Sequence, residues 1–370
     1  MAVKRQANFE LLRIVAMVMI IILHYLGKGN IITPYRENAS VFNYIGWLIE
    51  AFCIVCVNCY VLISGYFLVE SGWKPRRILS LEAQILFYSV LIPIAMLCTR
   101  MIVWSEISVY DWAKYIFPMQ SELYWFATHY MVLYLFVPIL AAGVQKLEKK
   151  TLQIIILFLL LLFSVGKTIL PINLAIDMNG YHYGWFLYLF LVAAYIRKYG
   201  IPWLEKGKRG LVIYIVMCVG VWAVSAFCGM VERKTGSVYS YTNMPYSYNH
   251  FFVFAGSVGL FCMFMKLRIK EGKAAFWIRK LAPYTFGIYL LHNHILIADK
   301  WMVWMGIEKV RGTWLFIPHM IACVLVVYLI GTIVDFARAY LFAQIGKLWE
   351  KRGNERKDSK DVFHYKKSGL

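Results

Sequence analysis

An arginine and a histidine lie inside the first apolar stretch of the sequence, which runs from Asn8 to Leu26. Arg13 and His24 are eleven positions apart. At roughly 100° per residue, that spacing puts both on one stripe of a helix, about 16 Å apart along its axis. Glu10 lies one turn before Arg13, where it can pair with it. Because ionisable groups inside a membrane span are costly, we interpret Arg13 and His24 as a functional site. The alternative is that Arg13 extends to the near interface and His24 bonds a neighbouring helix.

Membrane-spanning helices must position these residues, because the chain is too apolar for a soluble protein. Of its 370 residues, 61% are hydrophobic and 16% are charged. Apolar runs of about 18–25 residues recur, and this pattern predicts an all-α polytopic membrane bundle of about ten transmembrane helices. The predicted spans are residues 8–26, 45–69, 79–104, 123–144, 151–170, 184–196, 211–229, 250–266, 284–304 and 314–340. A membrane domain therefore covers 8–340, and a basic tail covers 341–370. The first run is too long for a cleavable signal peptide.

The net charge of +19 is distributed unevenly between alternate loops. Lysine and arginine concentrate on the side of both termini, in residues 74–77, 146–150, 197–209, 266–280 and 347–367. This asymmetry follows the positive-inside rule, so both termini are predicted to be cytoplasmic in a multi-pass protein of the plasma membrane. The charge then needs no nucleic-acid partner. Arg13 falls at the cytoplasmic edge of the first helix and His24 in its outer half.

Three cysteines in the second span have the spacing of a metal or iron–sulfur ligand set. Cys53, Cys56 and Cys59 spread over about 120° of a helix, and no further cysteine joins them at ligand spacing. We therefore interpret them as small residues of the helical core. The sequence predicts no metal and no disulfide.

A short basic loop on the cytoplasmic side is the second candidate for chemistry. It contains Lys74, Arg76 and Arg77. The three cations are either ordinary topology determinants or a landing site for a phosphorylated cytosolic molecule. The residue types alone do not choose between these two interpretations.

Aromatic and histidine side chains mark the outer half of the predicted bundle. Trp125 and His129 begin the fourth span, and Tyr246 and Tyr248 lie in the large outer loop that precedes the eighth. Amphipathic rings of this kind suit a polar, ring-shaped acceptor such as a sugar, although interfacial loops commonly contain them. His292 falls near mid-membrane in the ninth span and needs a partner there.

This distribution suits an enzyme that takes a phosphate-bearing donor from the cytosol and serves an uncharged polar acceptor outside. Arginine gives phosphate a permanently charged, bidentate partner. Histidine suits deprotonation of a hydroxyl group, because its pKa lies near working pH.

The order of motifs resembles the acyltransferase 3 family of integral membrane O-acyltransferases. The similarity extends over essentially all of residues 8–340. Four stretches match in register, together with the basic loop: Glu10–Arg13–His24, LISGYF at Leu62–Phe67, WFATHYMVLYLFVP at Trp125–Pro138 and LAPYTFGIYLLH at Leu281–His292.

The resemblance implies a membrane O-acetyltransferase of the bacterial cell envelope. The acyl group that is transferred is expected to be acetyl. It moves from cytosolic acetyl-CoA to a hydroxyl of a cell-surface polysaccharide or a lipid-linked saccharide. Some family members carry a fused SGNH domain outside the membrane. This chain ends too soon for one, so we expect direct transfer or a separate extracytoplasmic partner.

The resemblance also implies a role for each candidate residue. The catalytic set is His24, Arg13 and Glu10, with His24 acting either as general base or as carrier of the acyl group. Donor binding falls to Arg13, Lys74, Arg76, Arg77, Ser64 and Tyr66. The acceptor side and its surroundings comprise Trp125, His129, His292, Tyr246 and Tyr248.

Three other classes of protein fit the same pattern. The main alternative is a transporter or permease of the same fold, in which Arg13 and His24 bind a substrate or a proton. Transmembrane histidines also ligate haem iron. A catalytically silent scaffold for glycan export is the third alternative.

Overall fold

The computed structural model describes residues 5–71, 73–170, 174–237 and 239–367, and every regular element in these ranges is a helix. This confirms the predicted all-α class. The α-helices are α1 (Ala7–Lys28), α2 (Val41–Cys53), α3 (Cys56–Ser71), α4 (Pro75–Cys98), α5 (Val109–Ile116), α6 (Trp125–Lys146), α7 (Lys149–Leu160), α8 (Gly166–Ile169), α9 (Tyr183–Tyr199), α10 (Arg209–Thr235), α11 (Tyr239–Asn243), α12 (Phe251–Lys266), α13 (Lys273–Leu281), α14 (Thr285–His292), α15 (Trp301–Trp304) and α16 (Phe316–Lys367).

Eight helical segments in the described ranges are long and apolar enough to cross a membrane, fewer than the ten predicted. They are Ala7–Lys28, Val41–Ser71, Pro75–Cys98, Trp125–Lys146, Lys149–Ile169, Arg209–Thr235, Tyr241–Lys266 and Phe316–Leu348. The predicted sixth span corresponds to α9, which has only 17 residues. The architecture is still that of a polytopic helical membrane bundle.

The predicted ninth span, residues 284–304, is wrong as a single helix. A 3₁₀ turn around Pro283 separates α13 from α14, because proline lacks the N–H that would continue the helix. The eight-residue α14 then ends at His292. The chain turns just beyond it, where the N–H of Ala298 donates a hydrogen bond to the carbonyl oxygen of His294. Broken helices are tolerated at membrane depth only where protein or a cavity surrounds them. This break makes His292 the last residue of a helix inside the bundle.

Helix α1 lies at the centre of the bundle and packs against α2, α3, α12, α13, α14 and α16. Leu12, Ala16 and Ile21 are fully buried on it. Apolar side chains also cover the outer surface, for example Phe158 on α7 (69% exposed) and Leu329 on α16 (61% exposed). An apolar exterior of this kind is what a lipid-facing surface requires.

Small residues bring two of the long helices close together. A Cβ atom on Gly259 of α12 would lie 2.8 Å from the carbonyl oxygen of Gly210 on α10, too close for any side chain. Membrane helices associate through such close contacts, because the surrounding lipid is as apolar as their side chains and the hydrophobic effect does not draw them together.

A buried carboxylate holds α4, α14 and α16 together. Asp335 has no exposed surface, and its oxygens accept hydrogen bonds from Gln84, Tyr88 and Arg338 at 2.7–3.0 Å. A buried charge is tolerated when it is paired and hydrogen-bonded in this way. Gly287 of α14 packs directly on Asp335, and a Cβ atom there would approach the carboxylate to 2.2 Å. The network therefore fixes the helix that ends at His292.

Candidate active site

A cavity of about 690 Å³ runs through the bundle alongside α1. The α1 residues that line it include Glu10, Arg13, Met17, Ile20 and His24, which follow one another at alternating spacings of three and four positions. This spacing keeps side chains on one stripe of a helix. The predicted common stripe of Arg13 and His24 therefore faces a single cavity.

Positive charge gathers at the Arg13 end of this cavity. The Arg13 guanidinium donates to Glu10 Oε1 at 2.5 Å, and Arg5 lies 3.6 Å from the other oxygen of the same carboxylate. Arg77, at the start of α4, lines the same cavity. Tyr60 of α3 donates to the backbone carbonyl of Arg13 at 2.7 Å and so ties α1 to α3. Three guanidinium groups against one carboxylate leave this end suited to an anion.

His24 is hydrogen-bonded to a second histidine at the other end of the stripe. Its Nδ1 lies 3.0 Å from Nε2 of His292, and Nδ1 of His292 lies 2.6 Å from the carbonyl oxygen of Ile288. A carbonyl can only accept, so His292 donates through Nδ1 and, as a neutral ring, accepts at Nε2. His24 must then donate through Nδ1. This assignment, inferred from the partners, leaves Nε2 of His24 as the ring's lone-pair nitrogen.

A second pocket of about 450 Å³ adjoins His24 from the other direction. Lys28 and Trp125 line this pocket as well as the large cavity. Lys28 lies 3.7 Å from the carboxylate of Asp299 and donates to Asn293 at 3.3 Å. His24 therefore lies where two spaces meet.

Aromatic rings and one carboxylate line part of the large cavity beside α2 and α6. The ring centroids of Trp125 and Tyr248 are 5.8 Å apart in a stacked arrangement, and Tyr181 lies 4.7 Å from each. Asn58 donates to the carbonyl of Tyr248 at 2.8 Å, which fixes that loop. Glu50 also lines the cavity, and its Oε2 has no hydrogen-bond partner among the described residues. An enclosed carboxylate without a partner is a candidate for ligand binding.

Most of the predicted site residues come together. The cavity is lined by Glu10, Arg13, His24, Ser64, Arg77, Trp125 and Tyr248. His292 does not line it but bonds the histidine that does. These side chains come from α1, α3, α4, α6, α14 and the loop before α12.

Two residues of the predicted donor-binding loop lie away from the cavity lining. Lys74 and Arg76 are exposed, and the backbone of Lys74 pairs with the hydroxyl of Tyr134. Tyr66 also lies elsewhere, since its ring packs against Phe9 and beneath the guanidinium of Arg197.

Two residues predicted for the acceptor side have other neighbours. Tyr246 donates to the carbonyl of Trp47 at 2.8 Å and does not line the cavity. His129 faces His182, with ring centroids 4.5 Å apart.

Sequence reasoning missed several residues that line the site. Glu50 carried a usable signal, because it is an acid within the run WLIEAFCIVCV, and ionisable residues in such runs mark functional sites. Tyr60 and Tyr181 carried no such signal, since tyrosine is common in membrane helices and at their ends.

A family model described as an acyltransferase domain matches residues 6–335, nearly the whole membrane-spanning part of the chain. No curated protein and no solved structure matches the chain.

Proposed function

The chain belongs to the acyltransferase 3 family of membrane proteins, and we propose that it is an O-acetyltransferase. In this proposal it moves an acetyl group from cytosolic acetyl-CoA to a hydroxyl of an extracytoplasmic glycan. The observation that carries the proposal is the position of His24. His24 faces both cavities. Its Nδ1 is hydrogen-bonded to His292, so its unprotonated Nε2 is not engaged by that residue.

The dimensions of the α1 stripe suit coenzyme A. Arg13 and His24 are separated by about 16 Å along the helix axis. The pantetheine arm between the pyrophosphate and the sulfur contains roughly twelve bonds, on the order of 14 Å when extended at ~1.2 Å per bond. Phosphates held by Arg13 and Arg77 would therefore present the thioester within reach of His24. Both arginines line the cavity that contains His24.

In the proposed reaction, His24 is the general base. Its Nε2 takes the proton of the acceptor hydroxyl as that oxygen attacks the thioester carbonyl. The C–S bond then breaks, and the thiolate of coenzyme A takes the proton from the imidazolium. The products are an acetyl ester and free coenzyme A. The bond to His292 keeps the ring in the required tautomer and stabilises the imidazolium that forms.

The acceptor is assigned to the aromatic part of the cavity. Trp125, Tyr181 and Tyr248 offer ring faces of the kind that pack against the apolar face of a sugar. Glu50 offers an oxygen with no described protein partner, and a carboxylate accepts hydrogen bonds from sugar hydroxyls.

The test compares surface polysaccharide from wild-type cells, from a deletion strain and from strains complemented with each variant. We expect a mass difference of one acetyl group per modified residue, restored by wild type and not by His24→Gln. Polysaccharide of identical mass in wild type and deletion would contradict the glycan acceptor.

Transport is the second candidate, because two spaces that meet at His24 also resemble a path through the bundle. Purified protein distinguishes the two functions. With the surface polysaccharide supplied as acceptor, the acyltransferase cleaves the thioester of acetyl-CoA, whereas a transporter leaves it intact.

A further inference from the structure

Three potential metal ligands meet at the end of the bundle where α6 and α9 begin. They are Glu122 in the turn before α6, His129 one turn into α6, and His182 immediately before α9. One donor atom from each lies within 4.8 Å of the other two. None of the three lines the large cavity, whereas Glu122 lines the second pocket beside His24.

Both histidines have an enclosed nitrogen that the rest of the described structure does not use. Nδ1 of His129 and Nδ1 of His182 are buried and have no hydrogen-bond partner among the described residues. His129 itself is only 4% exposed. Buried polar atoms are almost always satisfied, so two such nitrogens on rings with centroids 4.5 Å apart call for a shared partner.

The separations suit a small divalent cation. Some point lies within about 2.8 Å of three atoms that are mutually within 4.8 Å, and zinc bonds to nitrogen or oxygen are ~2.1 Å long. Shifts of about 0.7 Å would therefore complete the coordination. Glu122 is exposed and can adjust its side chain freely.

We propose that Glu122, His129 and His182 form a binding site for a divalent transition-metal ion of the zinc class. Two imidazoles and one carboxylate are a common zinc ligand set, with a fourth position left for water. The sequence predicted no metal, because residues 122, 129 and 182 have no recognisable ligand spacing and meet only in the folded bundle.

The site would link the start of α6 to the segment just before α9, and these two parts of the chain carry Trp125 and Tyr181 of the cavity lining. Trp125 lies one turn before His129, and Tyr181 directly precedes His182. A metal bound to both histidines would fix the position of the Trp125 ring relative to the Tyr181 ring. Metal binding itself does not depend on the proposed acetyl transfer, so the two proposals can fail separately.

The experiment uses full-length protein purified without a polyhistidine tag. Zinc content is measured by elemental analysis, Co²⁺ binding by its visible absorption, and thermal stability is measured with Zn²⁺ and after chelation. We expect about one ion per chain, a tetrahedral Co²⁺ spectrum, and a melting temperature that falls on chelation and recovers with Zn²⁺.

Variants locate the ion. His129→Ala and His182→Ala should each weaken zinc binding more than 100-fold, since loss of groups that merely orient ligands already costs about 10–100-fold. Glu122→Gln should weaken it less. The matched controls His364→Ala and Glu106→Gln remove the same residue types elsewhere and should leave binding unchanged.

Two results would overturn the proposal. One is wild-type protein that binds neither Zn²⁺ nor Co²⁺ stoichiometrically. The other is equal binding by wild type and by the His129→Ala/His182→Ala double variant. Either result would mean that these three residues do not hold a metal ion.

Discussion

Replacing His292 tests how the imidazole of His24 is held. In His292→Leu, a side chain without hydrogen-bonding atoms removes both the bond to His24 and the bond to the carbonyl of Ile288. The first bond holds the ring of His24 and its tautomer, so turnover should fall although His24 itself is intact.

The size of the effect follows from the same bond. One hydrogen bond is worth about 0.5–1.5 kcal/mol, which alone gives a loss of up to about 10-fold in rate. Loss of the correct tautomer adds to this, up to the ~10²–10⁴-fold that a general base contributes. We therefore expect turnover by His292→Leu to be about 10–1,000-fold below wild type, and above that of a variant without His24.

The assay is acetyl-CoA cleavage by purified protein in the presence of the polysaccharide acceptor, with turnover and the Michaelis constant for acetyl-CoA determined separately. Turnover should fall while the Michaelis constant stays near wild type, because the donor phosphates are assigned to Arg13 and Arg77. His292→Gln keeps an acceptor oxygen and should restore part of the rate. Turnover within twofold of wild type in a folded His292→Leu protein would refute the proposed role of the histidine pair.

Three further predictions test the donor site, the packing and the sidedness. Arg13→Lys keeps the charge but loses the bidentate fork, so coenzyme A should bind about 10-fold more weakly in a titration; unchanged affinity would make Arg13 an interfacial anchor. Gly287→Ala places a methyl group 2.2 Å from the Asp335 carboxylate, so it should cost about 1–3 kcal/mol of unfolding free energy and lower the melting temperature in detergent; an unchanged value would contradict the packing. In a cysteine-free background, Ser237→Cys should react with an impermeant maleimide in intact cells and Ser71→Cys only after permeabilisation; the reverse pattern would invert the predicted topology.

The sequence was sufficient to predict the class of fold and the central stripe. Helical periodicity and apolar run length gave a membrane bundle, and the positions of Arg13 and His24 placed both on one face of α1. These features are local, since each depends on residues within one helix. The structure confirms the class and shows that both residues line one cavity.

The partners of these residues could not be read from the sequence, because they depend on tertiary contacts. His24 and His292 are 268 positions apart and meet only when α14 packs beside α1. The end of α14 at His292 could not be read from the sequence, because the apolar run resumes with ILI at 295–297 after only two polar residues. Glu50 was missed for a different reason. Like Arg13 and His24 it is an ionisable residue inside an apolar run, so the sequence does carry its signal, although its place in the cavity depends on tertiary contacts.

The most direct test of the central claim is acetyl transfer by reconstituted protein with and without the imidazole of His24. Vesicles that contain wild type or His24→Gln receive labelled acetyl-CoA together with surface polysaccharide from the deletion strain as acceptor, and both thioester cleavage and coenzyme A affinity are measured. We predict a loss of about 10²–10⁴-fold in cleavage by His24→Gln, with coenzyme A affinity unchanged. Retention of more than about 10% of wild-type cleavage would contradict the assignment of His24 as the general base.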